Sequence, residues 1–130
     1  MIQENEIRVG NYYNRVESYS SSLGYHKFSA SVWYAIGECT DFLENYDPIP
    51  LTEEILLKCG FSKSVRPNCE DIYIDLPARM ILWFNEGNYA EMDLIQDDKR
   101  ISFKHSHIKH LHQLQNLYFC LCGKELNVEL

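Results

Sequence analysis

At 130 residues with a formal charge of −7, the chain has the size of one ordinary domain and lacks the excess of cations that a general binder of nucleic-acid backbone requires. Apolar residues make up 45%, charged residues 24% and aromatics 13%, which excludes disordered and fibrous classes and favours a β-rich fold. No apolar run reaches the roughly 20 residues of a membrane helix, and the start lacks a signal-peptide pattern. Cys39, Cys59, Cys69, Cys120 and Cys122 have no repeated spacing, so a cytoplasmic protein with reduced thiols and no membrane contact is expected.

In chain order, residues 7–16 (IRVGNYYNRV) mix β-branched and aromatic residues around Gly10 and Asn11, predicting a strand interrupted by a turn or bulge. Ser18 to Gly24 (SYSSSLG) reads as a loop. From Phe28 to Ile36 apolar residues alternate at every second position, the period of a half-buried strand, with Trp33 on the opposite face. Pro48 and Pro50 then hold the chain extended before a helix over about 52–59. Thr52 is its N-cap, Glu53 and Glu54 favour the positive end of its dipole, and Gly60 ends it so that Phe61 folds back. Ile55, Leu56 and Cys59 form its buried stripe, which makes Cys59 a core thiol rather than a nucleophile.

Ser62 to Asp71 is polar and contains Pro67, predicting a loop. Ile72–Leu76, Met80–Phe84, Tyr89–Ile95 and Ile101–His105 read as an antiparallel meander of three or four strands, with turns at 85–88 and at Asp97-Asp98. Asp75, Glu91 and Asp93 are expected on its solvent face. Ile108, Leu111, Leu114, Leu117, Tyr118 and Leu121 recur at intervals of three and four. They predict a helix over about 109–122, capped by Gly123 and packed on a sheet, with His112, Gln113 and Asn116 beside or opposite the apolar stripe.

Chemistry is sparser. Residues 38–54 carry six acids and no cation, whereas 99–112 carry Lys99, Arg100, Lys104, Lys109 and four histidines and no acid. The second stretch is a candidate anion-binding patch through Lys104, His105, His107 and Lys109, and Tyr12 and Trp33 are candidate aromatic contacts. Cys120 and Cys122 sit about 200° apart around a helix and cannot share a metal while helical. Phosphate-cradling glycine loops, Gly-x-Ser-x-Gly and His-Glu-x-x-His are absent. No catalytic residue, cofactor or metal site is assigned.

RVGNYY, PIPLTEEILLKCGF (Pro48 to Phe61) and IKHLHQLQNLYFCLCGKEL (Ile108 to Leu126) resemble segments of an uncharacterised family of small proteins from Bacteroidetes bacteria, their phages and mobile elements. Cys120 and Cys122 depart from that pattern, in which Ala and Thr are usual. The Arg8–Tyr12 segment also resembles the opening of a Src-homology-3-like barrel, which implies an aromatic-lined groove for peptide or nucleic acid. The expectation is an α+β domain that binds a host protein or small anionic ligand without catalysis, with homo-oligomerisation left open. Nucleic-acid binding through 99–112, and a small hydrolase or metal-dependent enzyme, are the alternatives.

Overall fold

The computed structural model describes residues 7–15, 24–29, 46–64, 71–75, 79–84 and 90–130. Its elements in chain order are β1 (Tyr12–Arg15), β2 (Gly24–Lys27), β3 (Tyr46–Asp47), α1 (Glu53–Lys58), β4 (Ser62–Ser64), β5 (Asp71–Asp75), β6 (Met80–Phe84), β7 (Ala90–Gln96), β8 (Lys99–Ile108) and α2 (Leu111–Cys122). All strand pairs are antiparallel, and the fold is α+β. Two compact units are distinguished, Met1–Pro50 with His110–Glu125 and Leu51–Lys109 with Leu126–Leu130.

The first unit holds a three-stranded sheet of order β2-β1-β3; among the described residues it is not closed into a barrel. Gly10, at φ +101°, makes the turn before β1, where a side chain would be strained. Its N–H donates to the Phe28 carbonyl at 2.8 Å, and Phe28 donates back to Asn11 at 2.6 Å. Tyr13 is fully buried. Its ring meets Phe28 edge-on at 4.9 Å and Tyr46 at 6.5 Å, the offset geometry that aromatic quadrupoles favour. The strand predicted over 28–36 falls, after Ser29, outside the described residues, as do Trp33 and the turn at 85–88.

Helix α2 belongs to this unit and buries Leu111, His112, Leu114, Gln115 and Tyr118. Gly123 ends it at φ +72°, donating its N–H to Phe119 at 2.9 Å. The predicted helix is present, but its inward face is turned from the predicted stripe. Leu117 and Leu121 are only half-buried, while His112 and Gln115 are 1% exposed each. Gln115 is tolerated there because it bonds the backbone at Tyr12 and Gly10, and the His112 ring packs at a tilt against Tyr13 at 5.7 Å and stacks on His110 at 5.8 Å.

The second unit is a meander of order β4-β5-β6-β7-β8, one strand longer than the upper sequence expectation. The extra strand is β4, which was expected to be loop. It is a polar edge strand with Ser62 and Lys63 exposed, and a strand with one free edge and little burial has no apolar alternation to read. β6 alternates fully buried Met80, Leu82 and Phe84 with half-buried Ile81 and Trp83, so one face of the sheet is core and the other partly open. Helix α1 carries the expected signals. Thr52 Oγ1 accepts from Ile55 N at 3.2 Å. At the other end Phe61 N donates to Leu56 O and Gly60 N to Leu57 O, both at 3.1 Å, the paired bonds of a Schellman ending. Cys59 is buried, as expected, and burial pushes its thiol up to about 12.

Candidate functional site

Two polar clusters stand out, one in each unit. In the first unit, Arg8 and Asn11 reach α2. Arg8 Nε donates to Asn116 Oδ1 at 3.1 Å, its terminal nitrogens reach Glu125 and the Gln115 carbonyl, and its guanidinium lies 4.4 Å above the Phe119 ring. Asn11 is fully buried. Its Oδ1 accepts from Arg8 N at 2.8 Å and from the Tyr13 hydroxyl at 3.3 Å, and its Nδ2 donates to Asn116 at 2.9 Å. Gln115 completes the set: its Oε1 accepts from Tyr12 N at 2.9 Å and its Nε2 donates to Gly10 O at 3.1 Å. One side-chain amide thereby does for β1 what a neighbouring strand would do. Groups so fully committed to one another hold the fold and have little capacity left for a ligand.

Within the first unit, these bonds tie three stretches of the chain together. RVGNYY is joined to QLQNLYF as just described, and the first proline-rich residues bridge to the helix start, with Leu111 N donating to Ile49 O at 2.8 Å and Pro50 bridged to His110. Such contacts explain these motifs as scaffolding.

The second cluster lies on the partly open face of the five-stranded sheet. Trp83 on β6, Asp93 on β7 and Arg100 on β8 converge because the register sets Trp83 opposite Glu91, and Arg100 opposite Ile95, one diagonal step from Asp93 on either side. Asp93 Oδ2 accepts from Trp83 Nε1 at 2.8 Å and from Arg100 Nε at 2.6 Å, and Arg100 Nη2 pairs with the same oxygen. The guanidinium carbon sits 4.8 Å from the Trp83 ring centre, a cation–π contact. Burial alone would raise the Asp93 carboxyl. Hydrogen bonds from Trp83, Ser102 and Arg100, with the charge of Arg100, outweigh it and hold the group below the usual carboxylate range.

Asp93 was expected to face solvent and instead is 6% exposed. Its partners are the reason: a carboxylate with a cation and three donors can leave water. The Arg100 side chain remains 48% exposed. Arg100 and Trp83 are the residues sequence reasoning passed over as a site. The signal available was the two-residue Asp97-Asp98 turn, which fixes the β7–β8 register and puts Arg100 beside Asp93.

The residues singled out from sequence are not gathered into one place by the described structure. Tyr12 is half-buried on β1, where its N–H serves Gln115. Lys104 and His105 lie on β8, but their side chains are outside the described residues, as is all of Trp33. His107 and Lys109 are exposed. His107 has φ +43° beside a register shift between Ala90 and Met92. The Lys109 carbonyl accepts from Leu51 N at 3.0 Å. Among the described residues no group of three or more His, Cys, Asp and Glu is placed to hold a metal ion, and no helix is long and apolar enough to cross a membrane. Compared with protein-family models, with curated proteins and with solved structures, the chain matches none.

Proposed function

We propose that this chain is a non-enzymatic binding protein of the bacterial cytoplasm, an accessory of a phage or mobile element, and that it acts on a host protein through the Trp83–Arg100 face. The observation that carries this reading is an arginine stacked on a tryptophan and clamped by a buried carboxylate on a partly open sheet face. Trp and Arg dominate the binding energy of protein interfaces. Side chains already locked in place lose less conformational entropy when a partner arrives, usually about 0.5–1.5 kcal/mol for each one held.

The resemblance of RVGNYY, PIPLTEE and HQLQNLYF to proteins of phages and mobile elements supports the accessory role. A small anionic ligand or nucleic acid is the weaker reading, since the chain as a whole carries a formal charge of −7. Site-specific photo-crosslinking from position 91, which pairs with Trp83, in cells of the native host, tests the proposal. The expected result is one discrete protein adduct, lost in Trp83→Ala and in Arg100→Ala. An adduct indifferent to both changes, or binding that weakens steeply with added salt as counterion release dictates, would refute it.

A further inference from the structure

Strand β8 ends the sheet, so one side of its backbone has no neighbour among the described strands. The register identifies which groups face outward. Gln96 and Lys99 flank the two-residue turn, and Ile95, opposite Arg100, donates its N–H to Arg79 on the β6 side at 2.9 Å. Ile95 and Arg100 are therefore a non-hydrogen-bonded pair, and so are Asp93 and Ser102 two steps on. The N–H and C=O groups of Arg100 and Ser102 point away from β7.

The side chains there are open on both faces, with Arg100 and Ser102 exposed on one and Ile101 42% exposed on the other. The stretch KRISFKHSHIK has four Lys and Arg and no acid. A second copy is disfavoured in the register centred on Ser102, which would set Arg100 against Lys104, since like charges directly opposite are destabilising.

We propose that this edge accepts an extended segment of a partner protein as a sixth strand, and that the segment alternates acidic with apolar residues. Main-chain bonds to Arg100 and Ser102 supply the affinity. Carboxylates fall on the Arg100 face and apolar side chains on the Ile101 face. The inference rests on the binding reading above and names the form of the partner, but it uses the strand backbone rather than Trp83.

The probe is a fluorescein-labelled peptide of alternating Glu and Val, titrated with the full chain by fluorescence anisotropy. The expected result is saturable binding that weakens about tenfold or more when alternate peptide nitrogens are methylated, as loss of two or more hydrogen bonds requires. A Lys–Val peptide should bind at least as poorly. Ser102→Ala removes the side-chain bond to Asp93 alone, so Ser102→Pro, which also removes an outward N–H from an edge strand where proline is tolerated, should bind the Glu–Val peptide more weakly than Ser102→Ala does. Methylation leaves the protein untouched, so its outcome stands even if the proline variant unfolds. Equal affinity for the methylated peptide, no binding of the Glu–Val peptide, or a concentration-dependent dimer abolished by Ser102→Pro would each overturn the edge proposal. A host partner still crosslinked from position 91 in Ser102→Pro but not in Trp83→Ala would overturn it too, and would leave the face reading standing.

Discussion

Replacing Gln115 by Leu tests whether a single side-chain amide holds β1 to α2. Gln115 is 1% exposed, and its two bonds to Tyr12 N and Gly10 O measure 2.9 and 3.1 Å. Leucine matches its volume closely and adds apolar area, so a purely space-filling role predicts no loss, or a gain of about 1 kcal/mol. The bonded role predicts the reverse. Two backbone groups lose their partner at about 1–3 kcal/mol each, reduced because the site is only part-buried at its rim, for a net loss of about 1.5–3 kcal/mol. At a urea slope of about 1.5 kcal/mol/M the midpoint should fall by about 1–2 M. Helicity at 222 nm follows that transition, and hydrogen exchange at the Tyr12 amide isolates the cause, since protection there should collapse while that of β6 and β7 amides persists. A Leu variant as stable as wild type, with Tyr12 still protected, would refute the reasoning.

Asp93 should make stability acid-sensitive: its folded pKa is lowered, so its contribution is complete above the unfolded value near about 3.9 and fades as pH falls through the folded one. Asp93→Asn should flatten that part of the stability–pH curve in urea melts, and an unchanged slope would show that Arg100 and Trp83 do not hold the carboxyl. Asp98→Gly should stabilise the chain by about 0.5–1 kcal/mol in the same melts, because Asp97 and Asp98 adopt φ of +53° and +60°, the pattern of a type I′ turn whose second central residue prefers glycine. A lower midpoint would mean that the Asp98 side chain has a bonding role. Iodoacetamide at pH 8 should alkylate exposed Cys120 well before Cys59, a residue 4% exposed whose thiol is pushed up to about 12 by burial. Peptide mass spectrometry reads the order, and equal rates would show that the α1 core opens readily.

Local features were legible in the sequence and long-range polar ones were not. Thr52, Gly60 and Gly123 mark helix ends through contacts spanning a few residues, and the alternation of Met80, Leu82 and Phe84 follows from one buried face. The cap at Thr52 and the ladder of β6 could therefore be read from spacing alone. Gln115, by contrast, bonds residues 103 and 105 positions away, and no period announces such a partner. His112 was misassigned for the same reason, since an imidazole earns its place inside by what it stacks on. The face with Trp83 and Arg100 occupied a middle position: each residue was visible, but only the pairing across the Asp97-Asp98 turn brings them to one carboxylate.

The division of the first unit between residues up to Pro50 and residues from His110 sets the timing of its assembly on the ribosome. Strands β5 to β8 can zip up hairpin by hairpin as they emerge, since each pairs with the strand made just before it. The aromatic cluster of Tyr13, Phe28 and Tyr46 precedes these strands, yet the helix whose His112 ring closes on Tyr13 follows only after them. During that interval the nascent chain presents tyrosine and phenylalanine rings that its own helix has yet to cover, so this segment is the one that most needs a chaperone's shelter.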